Sequence, residues 1–180
     1  MPTYVALLRG INVGGRNSVP MTELRQVAAS LGHAEVATYI QSGNLVFSSA
    51  ANDAARLGAD LERAIAARFG LQVPVVVVSA DELAQVVRAN PYGDEANPKA
   101  VHAVFFAEPL GAEALEALAD AQRQVAARGS RDQLHTIGRV VYLHAPDGFG
   151  RSDLAARLGR FPGTARNWAT VNRLLALARA

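Results

Sequence analysis

Residues 9–19, Arg-Gly-Ile-Asn-Val-Gly-Gly-Arg-Asn-Ser-Val, contain the side chains and spacing best suited to chemistry. Three glycines, two asparagines and two arginines lie between a short apolar run and a helix that begins near Pro20. Glycine lets backbone N–H groups turn toward a guest, and a helix N-terminus carries partial positive charge. We therefore expect this glycine loop to bind an anion, using the residues Arg9, Asn12, Gly14, Gly15, Arg16 and Asn17.

The glycine loop differs from the known phosphate motifs. A P-loop ends in Lys followed by Ser or Thr, whereas Arg16 and Asn17 follow Gly15 here, and the dinucleotide glycine spacing is absent. A loop that only turns through positive φ would also explain the glycines. Arg9 and Arg16 favour a ligand, because guanidinium groups suit phosphate or carboxylate.

Two further polar stretches complete the predicted site. Gln41, Ser42 and Asn44 lie at a hairpin tip, where turn formation alone would also explain them. Arg166 and Asn167 follow Thr164, which we expect to cap the last helix. An arginine in a first helical turn opposes the helix dipole, so a bound anion or an acidic neighbour would stabilise it. Whether these stretches and the glycine loop converge in space is left open by the sequence.

The pattern of apolar residues predicts a duplicated α+β chain. Residues 1–79 alternate as βαββαβ, and residues 80–180 begin the pattern again and end in an extra helix. The stretch Arg25–Ala29 recurs as Arg123–Ala127, and the strand at residues 4–8 falls on residues 102–106 at the same offset. Beyond a hairpin tip that is three residues shorter in the second copy, residues 45–47 match residues 140–142. In the first copy, the glycine loop occupies the place of the first helical turns of the second copy. A loop in place of helix indicates a function.

Three segments resemble the bacterial family catalogued as domain of unknown function 1697. They are residues 4–15, residues 38–44 and residues 164–168, and the likeness extends over essentially the whole chain. The resemblance implies an α+β fold of two tandem ferredoxin-like halves packed into one compact unit. It supplies no activity, cofactor or catalytic residue.

Composition limits the remaining possibilities. The 180 residues include no cysteine and no apolar run long enough to span a membrane, so we expect a soluble, cytoplasmic protein. The four histidines lack metal-ligand spacing, and we predict no metal site. Seventeen of the eighteen basic residues are arginine and the net charge is only +2, so nucleic acid is a weaker prediction than an anionic small molecule.

Four functions follow from these observations. The leading prediction is a module that binds a nucleotide, phosphate or carboxylate. RNA or single-strand binding is the first alternative, because ferredoxin-like sheets often stack bases on aromatic residues. An enzyme acting on phosphoryl or acyl groups is the second, although no nucleophile, base or cofactor is identified. A structural protein with an exposed apolar docking patch is the third.

Overall fold

The structure is a computed structural model that describes residues 1–180. It contains eight strands and six helices, in the order β1 (Thr3–Leu8), α1 (Met21–Ser30), β2 (Ala34–Tyr39), β3 (Asn44–Ser48), α2 (Ala54–Phe69), β4 (Val75–Ser79), α3 (Ala80–Arg88), β5 (Val101–Phe106), α4 (Ala112–Ala127), β6 (Gln133–Ile137), β7 (Val140–His144), α5 (Asp153–Leu158), β8 (Gly163–Asn167) and α6 (Trp168–Ala178). The strands form two four-stranded antiparallel sheets. The predicted α+β class is confirmed, and the two sheets are compatible with two halves. None of the helices is both long and apolar enough to cross a bilayer.

The first compact unit comprises residues 1–85 and 173–180, with strands in the order β2-β3-β1-β4. The central strand β1 runs antiparallel to both neighbours, pairing Leu7 with Asn44 of β3 and Leu8 with Val75 of β4. Antiparallel pairing brings the end of one strand beside the start of the next. The loop after β1, the β2–β3 tip and the segment before β4 therefore lie at the same end of the sheet, beyond the ends of the strands.

Helices α1 and α2 bury their apolar stripes against this sheet. Leu57, Leu61 and Ile65 recur at helical spacing on α2 and are at most 2 % exposed, and Leu24 of α1 is fully buried. Full burial of such a side chain stabilises the fold by about 1.5–3 kcal/mol. Asp53 caps α2 by accepting the Arg56 N–H, and Gly70 ends it in the left-handed conformation. The end of β1 is thus fixed to a packed core.

The second unit, residues 86–172, repeats this arrangement. Its strand order β6-β7-β5-β8 places β5 at the centre, as β1 is placed in the first unit. Helices α4 and α5 supply the apolar side chains that cover one face, including Leu118, Val125 and Leu154. The order of elements expected from the repeat is therefore present in both units.

The two copies differ after the central strand, as the sequence predicts. Residues 9–20 separate β1 from α1, which has 10 residues, whereas residues 107–111 separate β5 from α4, which has 16. The first copy has an extended loop where the second has additional helical turns. The glycine loop is the local departure from the repeat.

The predicted start of the last helix is wrong. Thr164–Asn167 is not the first turn of that helix but part of strand β8, which pairs with β5. Gly163 lies so close to β5 that a Cβ there would be 2.6 Å from Val104 Cγ1. Asn167, not Thr164, caps α6, because its Oδ1 accepts the Thr170 N–H at 2.9 Å. Arg166 therefore lies in a strand and does not oppose a helix dipole, contrary to the prediction.

Candidate functional site

Asn12 holds the glycine loop closed. Its Nδ2 donates to the Val19 carbonyl at 2.9 Å and to the Gln41 carbonyl at 2.8 Å, and its Oδ1 accepts the Val19 N–H at 2.8 Å. The residue has φ of +54°, a left-handed conformation that Asn tolerates better than most residues. The carboxamide thus joins both ends of the loop to the hairpin tip, and its hydrogen-bonding groups are directed inward.

The outer part of the loop is a tight turn over residues 13–16. The Arg16 N–H donates to the Val13 carbonyl at 2.9 Å, and φ is +56° at Gly14 and +75° at Gly15. Positive φ at both central residues is the pattern of a type I′ turn, which requires residues such as glycine. Behind the turn, Asn17 Nδ2 donates to the Gly10 carbonyl at 2.9 Å. The loop is therefore held by its own asparagines.

Gly14 and Gly15 project from this turn without any hydrogen bond to the rest of the chain. Both residues are exposed, and a Cβ added to either would have no atom within 4 Å. Two successive N–H groups in a turn form the kind of concavity that binds anions. The amides of Gly14 and Gly15 are two successive exposed N–H groups at the outermost point of the loop, and neither donates to another part of the chain.

The structure brings the hairpin tip against the glycine loop. The Leu8 N–H donates to the Gly43 carbonyl at 2.9 Å, in addition to the Asn12–Gln41 bond. A Cβ at Gly43 would lie 2.8 Å from both Leu8 Cβ and Ile11 Cδ1, so only glycine fits this contact. The convergence that the sequence left open is therefore present for these two stretches.

Within the tip, the polar residues divide into a buried and an exposed group. Asn44 is fully buried, and its Nδ2 donates to the Tyr39 carbonyl at 3.0 Å and to Ser42 Oγ at 3.1 Å. Gln41 and Ser42 are exposed beside the glycine loop. Asn44 therefore shapes the tip, while the side chains of Gln41 and Ser42 lie at the surface beside the glycine loop.

The local charge is positive. Arg16 is exposed and makes no ion pair, and Arg9 is half-buried at the end of β1. No residue in 9–20, 40–43 or 70–74 is acidic. In the helices that follow, Glu23 pairs with Arg68 at 2.6 Å and Glu62 Oε1 accepts the Val75 N–H at 2.9 Å. Residues 9–20, 40–43 and 70–74 themselves contribute positive charge and no negative charge.

Arg166 and Asn167 belong to the second unit. Arg166 is only 9 % exposed, its Nη1 donates to the Ala165 carbonyl at 2.9 Å, and burial lowers its pKa to about 10. Asn167 uses its Oδ1 as the helix cap described above. Each residue therefore has an identified role within its own unit.

His102 and His33 occupy packed positions. Burial lowers the pKa of His102 to about 4, and its ring stacks on Phe149 with centroids 4.0 Å apart. Burial also lowers the pKa of His33, against the opposing effect of Asp60, and its ring stacks on Phe47 at 4.4 Å. No group of three His, Cys, Asp or Glu side chains is placed to hold a metal ion.

One polar cluster in the second unit was missed by the sequence analysis. His144 Nε2 and Glu95 Oε2 are 2.7 Å apart, and the Tyr92 ring stacks on His144 with centroids 5.2 Å apart. Backbone donation from Asn97 lowers the pKa of Glu95 first, and the His144 hydrogen bond lowers it further. The signal available in the sequence was the position of His144 at a strand end. Nothing in the segment 90–98 indicated that it folds back onto that histidine.

The chain is similar to a known protein family and to a solved structure. The sequence model of a family described as "Protein of unknown function (DUF1697)" matches residues 1–142. The fold is similar to the solved structure of the conserved bacterial protein SP0830 from Streptococcus pneumoniae, with a TM-score of 0.71 and 25 % sequence identity over 98 % of each chain. No curated protein matches the chain.

Proposed function

Because the chain belongs to the DUF1697 family, whose description names no activity, we propose a function from the geometry. The glycine loop of the first unit binds an anionic small molecule that carries a phosphate or carboxylate, such as a nucleotide. The ligand meets the N–H groups of Gly14 and Gly15 and the guanidinium of Arg16. Gln41 and Ser42 border the same place.

The observation that carries this proposal is the pair of successive exposed amides at Gly14 and Gly15, which donate no hydrogen bond within the chain. The loop is stabilised by asparagine side chains rather than by its own outer amides, so those amides stay available. Hydrogen bonds from N–H groups to an anion are roughly twice as strong as those between neutral groups. Arg16 adds a planar donor that suits phosphate and carboxylate oxygens.

We also propose that each half is ferredoxin-like. The support is the βαββαβ element order combined with the antiparallel strand orders β2-β3-β1-β4 and β6-β7-β5-β8. Within such a half, the loop after the first strand and the tip of the hairpin between the second and third strands lie at the same end of the sheet. This shared position supports a single ligand site built from both.

The alternative functions have less support from the geometry. Base stacking on a ferredoxin-like sheet needs an open face with aromatic side chains. In the first unit, the face of β1 that points away from α1 and α2 carries the buried aliphatic residues Val5 and Leu7, and Val46 continues it on β3. An enzyme would need a nucleophile together with a base beside the loop amides, and residues 9–20 and 40–43 include serines but no histidine or carboxylate that could act as the base. Ligand binding therefore remains the preferred function.

A binding experiment tests the proposal. Isothermal titration with inorganic phosphate, acetate and AMP is performed on the wild type and on the variants Arg16→Ala and Arg56→Ala. Arg56 is an exposed arginine on α2 and loses the same charge, so it is the matched control. We expect saturable binding that Arg16→Ala weakens about tenfold and Arg56→Ala leaves unchanged, consistent with the loss of one charge-assisted contact. Absence of saturable binding, or equal effects of the two variants, would reject the proposal.

A further inference from the structure

Two exposed apolar side chains flank the glycine loop and the hairpin tip. Val13 is 63 % exposed and follows Asn12, and Ile40 is 50 % exposed and precedes Gln41. The hydrogen bond from Asn12 to the Gln41 carbonyl therefore places both apolar residues one position from the same junction. They are two of the six large apolar side chains in the chain that are substantially exposed.

The backbone at Ile40 is unusual for its residue type. Ile40 has φ of +51°, in the left-handed region that a β-branched side chain enters only with strain. Turn formation alone would favour glycine or asparagine at such a position, as Asn12 and Asn17 illustrate in the glycine loop. Strained residues concentrate at ligand sites, where the surrounding structure fixes them. Here the left-handed residue is a half-exposed isoleucine, one position from the carbonyl that Asn12 binds.

We infer that the ligand carries an apolar group directly next to its anion, as in an aryl or acyl phosphate or carboxylate. This inference rests on the proposed function. The anionic oxygens meet Gly14, Gly15 and Arg16, and the apolar group covers Val13 and Ile40. Inorganic phosphate satisfies only the first set of contacts.

The expected discrimination follows from the apolar area covered. Val13 and Ile40 are 63 % and 50 % exposed, and covering part of both side chains would remove roughly tens of Å² of apolar surface from water. At ordinary transfer values this corresponds to about a tenfold gain in affinity.

The experiment compares two matched pairs of probes by isothermal titration: inorganic phosphate with phenyl phosphate, and acetate with benzoate. The variants are Ile40→Asn and Val13→Ser, which remove the apolar groups while leaving the loop amides and Arg16 in place. Asn also suits the left-handed backbone at position 40. The matched control is Ile137→Asn, because Ile137 is 41 % exposed and precedes the corresponding hairpin turn of the second unit.

We expect the wild type and Ile137→Asn to bind the phenyl member of at least one pair about tenfold more tightly. Ile40→Asn and Val13→Ser should reduce that preference to less than about threefold and leave the Kd for the small anion unchanged. Equal affinity of the wild type for both members of each pair, or a preference that survives both variants, would overturn the inference and leave anion binding intact. If none of the four probes binds, both the inference and the proposed function fail.

Discussion

Asn12 is the residue on which the shape of the glycine loop depends. Its carboxamide makes three hydrogen bonds, two to the main chain of Val19 and one to that of Gln41. Because Val19 is fully buried, loss of this side chain would leave a buried N–H without a partner. The exposed amides of the turn depend on this side chain for their position.

We predict that Asn12→Ala lowers the free energy of unfolding by about 3 kcal/mol, roughly 1 kcal/mol for each hydrogen bond lost. The matched variant is Asn17→Ala, which also places Ala at positive φ but removes one exposed bond to the Gly10 carbonyl. It should cost about 1 kcal/mol. Urea unfolding of both variants measures the difference, and equal losses would show that Asn12 does not hold the loop.

Gly43 provides a second test of the same junction. We predict that Gly43→Ala destabilises the fold by about 2–4 kcal/mol, because φ is +92° and the new Cβ would lie 2.8 Å from Leu8 Cβ. Gly14→Ala also has positive φ but meets open space, and it should cost only about 1 kcal/mol. Thermal unfolding of the two variants compares them. A Gly43→Ala protein as stable as Gly14→Ala would contradict the contact between the tip and the loop.

Among the elements, strand β8 could not be predicted from its local sequence. The residues of β8, Gly-Thr-Ala-Arg-Asn, lack the apolar alternation of a strand, and pairing with β5 some sixty residues earlier determines their conformation. Continuous apolar strands such as β1 and β3 were predicted because their signal is local. The repeat itself held the missing information, since the first copy has a fourth strand, β4, before the helix α3.

The variant Thr164→Val tests whether Thr164 lies in a strand or caps a helix, because the two alternatives predict different changes in stability. Thr164 is 2 % exposed and its Oγ1 is buried without a hydrogen-bond partner. In β8, replacing that hydroxyl by a methyl group should leave stability unchanged or raise it by about 1 kcal/mol. A capping threonine would instead lose about 1 kcal/mol. Guanidinium unfolding measures the change, and a clear loss would contradict the strand.

For the molecule as a whole, the duplicated pattern was predictable and the site only partly so. The repeat of Arg25–Ala29 and the shared element order predicted two sheets. The residue types of the glycine loop predicted where polar side chains lie close together. They did not predict whether those side chains bind a ligand or hydrogen-bond to the backbone. An asparagine carboxamide serves a ligand or the backbone equally well, and only the packing of Asn12 and Asn44 shows that they serve the backbone.

The stability of the whole chain should depend on pH through its buried histidines. Burial lowers the pKa of His102 from 6.5 to about 4, so the unfolded chain takes up the proton first. The free energy of unfolding therefore has its full value above about pH 6.5. It decreases as the pH falls toward 4, by up to about 3 kcal/mol. His102→Phe should reduce this slope without abolishing it, because burial lowers the pKa of His33 as well.

Urea unfolding at several pH values between 4 and 7 measures this slope. The matched variant is His135→Gln, which removes an exposed imidazole on β6, so that loss of a packed ring is compared with loss of an exposed one. An unchanged slope in His102→Phe would mean that His102 is not buried as a neutral ring.

The central claim is that the amides of Gly14 and Gly15 meet negative charge. Titration of ¹⁵N-labelled protein with phenyl phosphate, followed by amide chemical shifts, measures this directly. We predict saturable shifts that are largest at Gly14, Gly15 and Arg16 and that Arg16→Ala diminishes. Saturable binding that leaves these three amides unmoved, or no saturable shift at any amide, would contradict the account.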